Sequence, residues 1–240
     1  MRYQGFGRTR ETEPAAFGLL AGLAVLLLAA VANASCAHAS KLDPTSADAI
    51  DAHYDAAVEI TALCALPDGR QVAWYGSGVI VDATHLLTAG HVAETEGLPC
   101  VFTAELSNGK TYLVRPLHVL ASSEVDLASM ELLSFTETFH VSAWPVRYGA
   151  APRLGDVVCT ATAHPRREYK CGQVMRSKDS PPGDIRIDFV VEPGNSGSAL
   201  YNAAGELVGI VVHTYPNRGN GQYITGGATS LAGHLKELLP

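Results

Sequence analysis

From Ala57 onward, apolar residues fall at alternate positions in short runs, each ended by a turn signal. "AVEITALCAL" is followed by "PDG", then "QVAWYGSGVIV" by "DATH", then "LLTAG". Period-two alternation sends one side of each run inward and the other outward, so the segment reads strand, turn, strand, turn, strand. The same texture returns in "TYLVRPLHVLA", "DLASMELL", "GDVVCTATA", "YKCGQVM", "IRIDFVV", "SALYN", "LVGIVVHTY" and "QYITGGA". Only "TSLAGHLKELL" has helical spacing, with Leu231, Leu235, Leu238 and Leu239 on one face and Thr229 or Ser230 as the N-cap. About a dozen short strands with one closing helix predict an all-β fold, built as a sandwich or as a pair of barrels.

The pattern before Ala57 is of another kind. Arg2, Arg8 and Arg10 precede an unbroken apolar run from Ala15 to Ala32, and two A-x-A patterns follow, Ala32-Asn33-Ala34 and Ala37-His38-Ala39. A basic start, an apolar stretch and small residues at a cleavage point are the marks of an export signal, which places residues 1–39 in a signal peptide. The run is also long enough to span a bilayer, so an uncleaved membrane anchor is the alternative, with the remainder outside the cytoplasm. Residues 40–56 read as a lead that turns helical or packs on the body, and residues 57–240 as the folded domain.

Composition adds two constraints. At 47% hydrophobic and 17% charged, the chain has ample core for a globular domain, and its 23 Gly suit many turns. A net charge of −7, moving to −8 once three Arg and two Glu leave with the signal, argues against a nucleic-acid partner, which requires a clustered basic surface that the sequence does not display. Cysteines number five, and cleavage after Ala39 discards Cys36 and leaves four. In an oxidising compartment these make two disulfides: Cys159 with Cys171 across a short hairpin, and Cys64 with Cys100. Lipidation of Cys36 is the rival use, against which stands Asn33 at a position where a lipobox has a bulky aliphatic residue. No Cys-x-x-Cys pair or run of oxygen ligands occurs, so no metal and no cofactor are expected.

Candidate chemistry centres on "EPGNSGSAL", where Ser196 sits between glycines ahead of an alternating run. Such a serine is either a turn residue or a nucleophile, and a nucleophile needs a base and a group to orient that base. "LLTAGHVA" supplies His91 just after a strand, and "SEVDLASMEL" supplies Asp126 at the mouth of one. The other histidines, His53, His85, His118, His140, His164 and His234, read as surface or satisfied turn residues.

These blocks carry a resemblance. "GSGVIVDATHLLTAGHV", "VDLASMEL" and "EPGNSGSALYN" resemble the three signature blocks of the trypsin-like (chymotrypsin-fold) serine proteases, closest to bacterial single-domain and HtrA-type members. The likeness extends from about Trp74 to Leu239. It implies two six-stranded antiparallel β-barrels, about 57–142 and 143–228, with a C-terminal helix over 229–239. It implies an exported serine endopeptidase in which Ser196 is the nucleophile, His91 the general base and Asp126 the group holding the imidazole tautomer. The backbone N–H groups of Gly194 and Ser196 would form the oxyanion hole. Residue 195 is Asn where digestive relatives have the Asp that pairs with a newly cut N-terminus, so that activation switch is missing. The primary pocket would have Val190 at its base and Val212, His213 and Thr214 along one wall. The implied partner is a protein or peptide substrate, and the implied state a monomer, touching a membrane only if the N-terminal segment stays uncleaved or Cys36 is lipidated. Two other classes use the same residues: a catalytically silent binding protein and an esterase, the latter opposed by the lack of a G-x-S-x-G elbow.

Overall fold

The alternating runs become eleven of twelve strands, the other being Cys100–Glu105, which the sequence pattern does not pick out, and the buried faces make two barrel cores and a shared seam. The structure, a computed structural model, describes residues 46–122, 124–133, 146–176, 183–216 and 223–239. The expected signal segment, Cys36 and His140 lie outside the described residues.

The first barrel is formed by β1 (Ala57–Ala65), β2 (Gln71–Ile80), β3 (His85–Thr88), β4 (Cys100–Glu105), β5 (Thr111–Ala121) and β6 (Asp126–Leu133). It closes in the order β1-β2-β3-β6-β5-β4, every pair antiparallel. Its interior holds Val58, Ile60, Ile80, Leu86, Phe102 and Met130, all buried. Each such side chain contributes roughly 1.5–3 kcal/mol on leaving water.

The second sheet contains β7 (Val157–Thr162), β8 (Glu168–Gln173), β9 (Asp184–Ile187), β10 (Ala199–Asn202), β11 (Leu207–Pro216) and β12 (Tyr223–Ser230). Its order is β8-β7-β10-β11-β12-β9. The two edge strands meet through the Val174–Ile187 bridge and the Met175 N–H to Arg186 carbonyl bond, so this sheet is barrel-like and joined by a short seam. Val158, Ile185, Ile187, Leu200, Val208 and Val211 fill it.

Between the barrels, Val79, Leu87 and Leu127 of the first pack with Ala199, Tyr201, Leu207 and Ile210 of the second. Leu231 and Leu238 complete this cluster. The two cysteine pairs lie at disulfide distance, and each links directly opposed residues of neighbouring strands: Cys64 with Cys100 on β1 and β4, Cys159 with Cys171 on β7 and β8.

Two helical expectations change. The lead forms α1 (Ala47–Ala56), started by Ser46, whose Oγ accepts from the Ala49 N–H at 3.3 Å. It packs on the body through His53, which is buried rather than superficial and stacks on Tyr201 with ring centroids 3.6 Å apart. The closing helix is shorter than its leucine spacing predicts. Thr229 and Ser230 end β12, paired with Ile210 and Gly209 of β11, and the helix starts only after His234, so that Leu235–Leu238 (α3) alone is helical. The remaining short helix, α2 (Gly90–Ala93), follows β3 and carries the first candidate residue.

Candidate active site

His91 is held by geometry that β3 and β6 create together. These strands are antiparallel neighbours, with Thr88 opposite Ala128, so the residue opening β6 lies beside the turn that leaves β3. Asp126 is that residue. Its Oδ1 accepts the backbone N–H of His91 at 2.8 Å, and its Oδ2 meets His91 Nδ1 at 2.6 Å. One carboxylate therefore fixes both the backbone and the ring. With Nδ1 donating to the carboxylate, Nε2 is left as the basic nitrogen. Burial pushes the Asp126 carboxyl up, but the hydrogen bond and charge of His91, with backbone donation from His91 and Gly90, outweigh it and hold the group below the usual aspartate value. It is a carboxylate at neutral pH. The His91 side chain remains 47% exposed, open to an incoming molecule.

Ser196 follows a turn whose shape is written in its residues. The Asn195 N–H bonds the Glu192 carbonyl at 2.9 Å, with Pro193 at the second position and Gly194, at φ +94°, at the third. Proline second and a positive-φ glycine third are the demands of a type II turn. A Cβ at Gly194 would also run into the His164 ring. The Asn195 side chain, 1% exposed, accepts from the Glu192 N–H at 2.8 Å and donates to the His164 carbonyl at 2.8 Å. Ser196 Oγ donates to the Val212 carbonyl at 3.3 Å, and the Ser196 carbonyl accepts from the Ser77 N–H at 2.7 Å. Gly197, at φ +93°, lets the chain pass against the Ser77 carbonyl, where any side chain would overlap.

Two residues of this environment escape sequence reasoning. Ser77 in "YGSGVIV" is fully buried on β2, and its Oγ donates to the Gly194 carbonyl at 3.0 Å. The same oxygen accepts from the N–H groups of Ala163 and His164 at 3.3 and 3.2 Å. His164, expected as a turn or surface residue, covers Gly194, stacks on Tyr75 at 5.0 Å and has Nδ1 3.1 Å from a Glu59 carboxylate oxygen, outside hydrogen-bond alignment. The turn proline after His164 was the available signal, and only for a bend.

Beside Ser196 lies a cavity of about 250 Å³. Val212, His213 and Thr214 line it with Val191, Glu192 and Pro193. Val190, expected at the pocket base, is not among the lining residues, whereas its neighbour Val191 is; the Val190 carbonyl accepts from Lys170 Nζ at 3.3 Å. Asp188 accepts from the Gln173 N–H at 2.7 Å and so belongs to the β8 edge. His213 Nε2 meets the Tyr215 hydroxyl at 2.7 Å, and that hydroxyl donates to Asp184 at 2.7 Å. Among the described residues, no group of three or more His, Cys, Asp or Glu is placed to hold a metal ion.

Two six-stranded antiparallel barrels meeting at residues carried on separate loops define the chymotrypsin-like fold. The solved HtrA-type protease AlgW with tripeptide shares it, with a TM-score of 0.61 at 23% identity over 79% of this chain and 61% of that one. The description of the trypsin-like peptidase domain family matches residues 76–210, and the chain belongs to that family. It is 28% identical to serine endoprotease DegS of Escherichia coli over 86% of its length, and 29% identical to chloroplastic Protease Do-like 2 of Arabidopsis thaliana over 61%. The chain spans 61% and 25% of the lengths of these two relatives. No helix among the described residues is long and apolar enough to cross a membrane.

Proposed function

We propose that the protein is an exported serine endopeptidase acting through Ser196, His91 and Asp126. The observation that carries this reading is the double grip of Asp126 on the His91 backbone and ring; Ser196, which follows a turn with a positive-φ glycine, is assigned the nucleophile's part by its motif. In this reading Ser196 Oγ exchanges its bond to the Val212 carbonyl for one to His91 Nε2. His91 takes the hydroxyl proton as Oγ attacks the scissile carbonyl, and Asp126 stabilises the imidazolium that results. The N–H groups of Gly194 and Ser196 receive the developing oxyanion, and each such donor is worth about 10²–10³ in kcat. His91 then gives its proton to the departing amine, leaving an acyl-enzyme that water cleaves by the same steps in reverse.

Family membership supports the reaction type, and the basic, apolar and small-residue order of residues 1–39 with two cysteine pairs supports export. The cavity beside Ser196 is the proposed seat of the side chain before the scissile bond. The test is hydrolysis of casein or a peptide library by the chain from Ser40 onward against its Ser196→Ala variant, read by mass spectrometry. Cleavage confined to the unaltered chain is expected. Equal cleavage by both, or none by either together with no labelling of Ser196 by a serine-directed phosphonate, would overturn the proposal.

A further inference from the structure

A second cavity, of about 330 Å³, opens on the His91 side of the site and is lined by Trp74, Tyr75, His91, Val92, Glu94 and Glu96. Its make-up differs from that of the cavity beside Ser196. Trp74 and Tyr75 are large rings left 42% and 51% exposed midway along β2. Glu94 and Glu96 are exposed carboxylates, and among the described residues neither forms an ion pair. His91 is the single base in the lining.

Which part of a substrate enters follows from the proton path. Resting on the endopeptidase reading, His91 hands its proton to the departing amine, so the leaving segment must lie on the His91 side, away from the cavity that Ser196 lines. Aromatic faces attract a cation through their quadrupole, and carboxylates attract it through charge. The combination suits a guanidinium or ammonium on an aliphatic stem, with the stem on the rings and the head at the carboxylates. A neutral side chain gains only the apolar contact, and an acidic one meets repulsion. We infer that this cavity binds a Lys or Arg side chain from the first or second residue after the scissile bond, with Glu94 and Glu96 as the specificity-determining residues.

The experiment uses peptides identical before the scissile bond and carrying Lys, Arg, Gln or Glu at the two positions after it. Relative kcat/KM is read by mass spectrometry at low and high salt, for the unaltered chain and for Glu94→Gln/Glu96→Gln. A preference of about tenfold for Lys or Arg over Gln is expected, shrinking with salt and falling to near one in the double variant. Equal rates for basic and neutral peptides, or a preference that survives in the double variant, would overturn the inference. Binding of the labelled Lys peptide to Ser196→Ala, followed by anisotropy, separates this from the catalytic reading. If nothing is cleaved but basic peptides bind more tightly than Gln peptides, and lose that advantage with Glu94→Gln/Glu96→Gln, the cavity assignment stands and the endopeptidase reading falls. If basic and Gln peptides bind alike, the cavity assignment falls.

Discussion

The Ser77 hydroxyl, on a strand of the first barrel, donates to the carbonyl of Gly194, on the turn before the second barrel's β10, at 3.0 Å. That bond anchors the peptide plane between Gly194 and Asn195, whose N–H is that of Asn195, and so restrains the backbone from which the Gly194 and Ser196 N–H groups project on either side. Pro193 limits the same turn from the other side by presetting its own φ. Asn195 ties it to His164. Three separate restraints therefore hold the turn that precedes Ser196.

Ser77→Ala removes the donor to Gly194 and leaves two backbone N–H groups without their acceptor. A stability loss of about 1–3 kcal/mol is expected from those unsatisfied groups. The functional effect is separable: kcat should fall roughly 10- to 100-fold, the range of a weakened oxyanion donor, with KM changed little. Steady-state kinetics at a temperature where the variant is fully folded decides it. A KM effect with kcat intact would mean that Ser77 serves only packing.

Asp126→Asn keeps the size of the side chain and removes its charge. An amide presents a donor toward His91 as readily as an acceptor, so the ring loses the tautomer that leaves Nε2 basic. The expected fall in kcat is about 10⁴, at little cost in substrate binding. Single-turnover acylation of an ester substrate, followed against pH, measures it directly. A loss below about tenfold would remove Asp126 from the proposed machinery.

Much of this arrangement was legible in the sequence. Strand alternation marked the runs that became every strand but β4, because a half-buried strand must change face at every residue; Cys100–Glu105 was not picked out. His91, Asp126 and Ser196 stood out because each sits where a strand meets a turn. What stayed hidden depends on contacts distant in sequence. Ser77 is one small polar residue in an apolar run, and nothing local tells that Gly194, 117 positions away, needs its hydroxyl. His164 reads as a turn histidine until the turn is folded over Gly194. The leucine spacing near the C-terminus was real, but pairing of Thr229 and Ser230 with β11 claims the first residues of the predicted helix. Register, which places Val191 rather than Val190 at the cavity, is equally beyond local pattern.

His53 makes acid sensitivity measurable. It is buried between Tyr201 and Tyr169, and burial lowers its pKa from 6.5 to about 4, against a smaller upward effect of the Gly205 backbone. The unfolded chain thus binds this proton more readily than the folded one, so the contribution is fully present above pH 6.5 and is lost as pH falls toward 4. A shift of this size corresponds to roughly 3 kcal/mol. His53→Phe retains a stacked ring, gives up the hydrogen bond to Tyr169 at 2.9 Å and cannot titrate. Urea unfolding at pH 7.5, 5.5 and 4.5 should show the variant losing less stability on acidification than the parent. Parallel losses would place the acid sensitivity elsewhere, with the carboxylates of Asp82, Asp126 and Glu168, each held below its ordinary value by its partners, as candidates.

The two cysteine pairs should differ in worth because they close loops of different length. Cys64 and Cys100 are 36 positions apart, and Cys159 and Cys171 only 12. A cross-link restricts the unfolded chain more as the loop it closes grows, giving about 4 kcal/mol for the first pair and about 3 for the second. Position works in the same direction: Cys64 and Cys159 are both buried, but Cys100 packs against the first barrel's core whereas Cys171, on β8, is exposed. Replacing each pair by Ala and measuring urea midpoints under oxidising conditions tests this. The expected order is parent above Cys159→Ala/Cys171→Ala above Cys64→Ala/Cys100→Ala, and under full reduction the three proteins should converge apart from the packing change at the substituted sites. A parent whose stability does not change on reduction would show that neither pair is bonded, and the oxidising compartment inferred for the protein would lose its support.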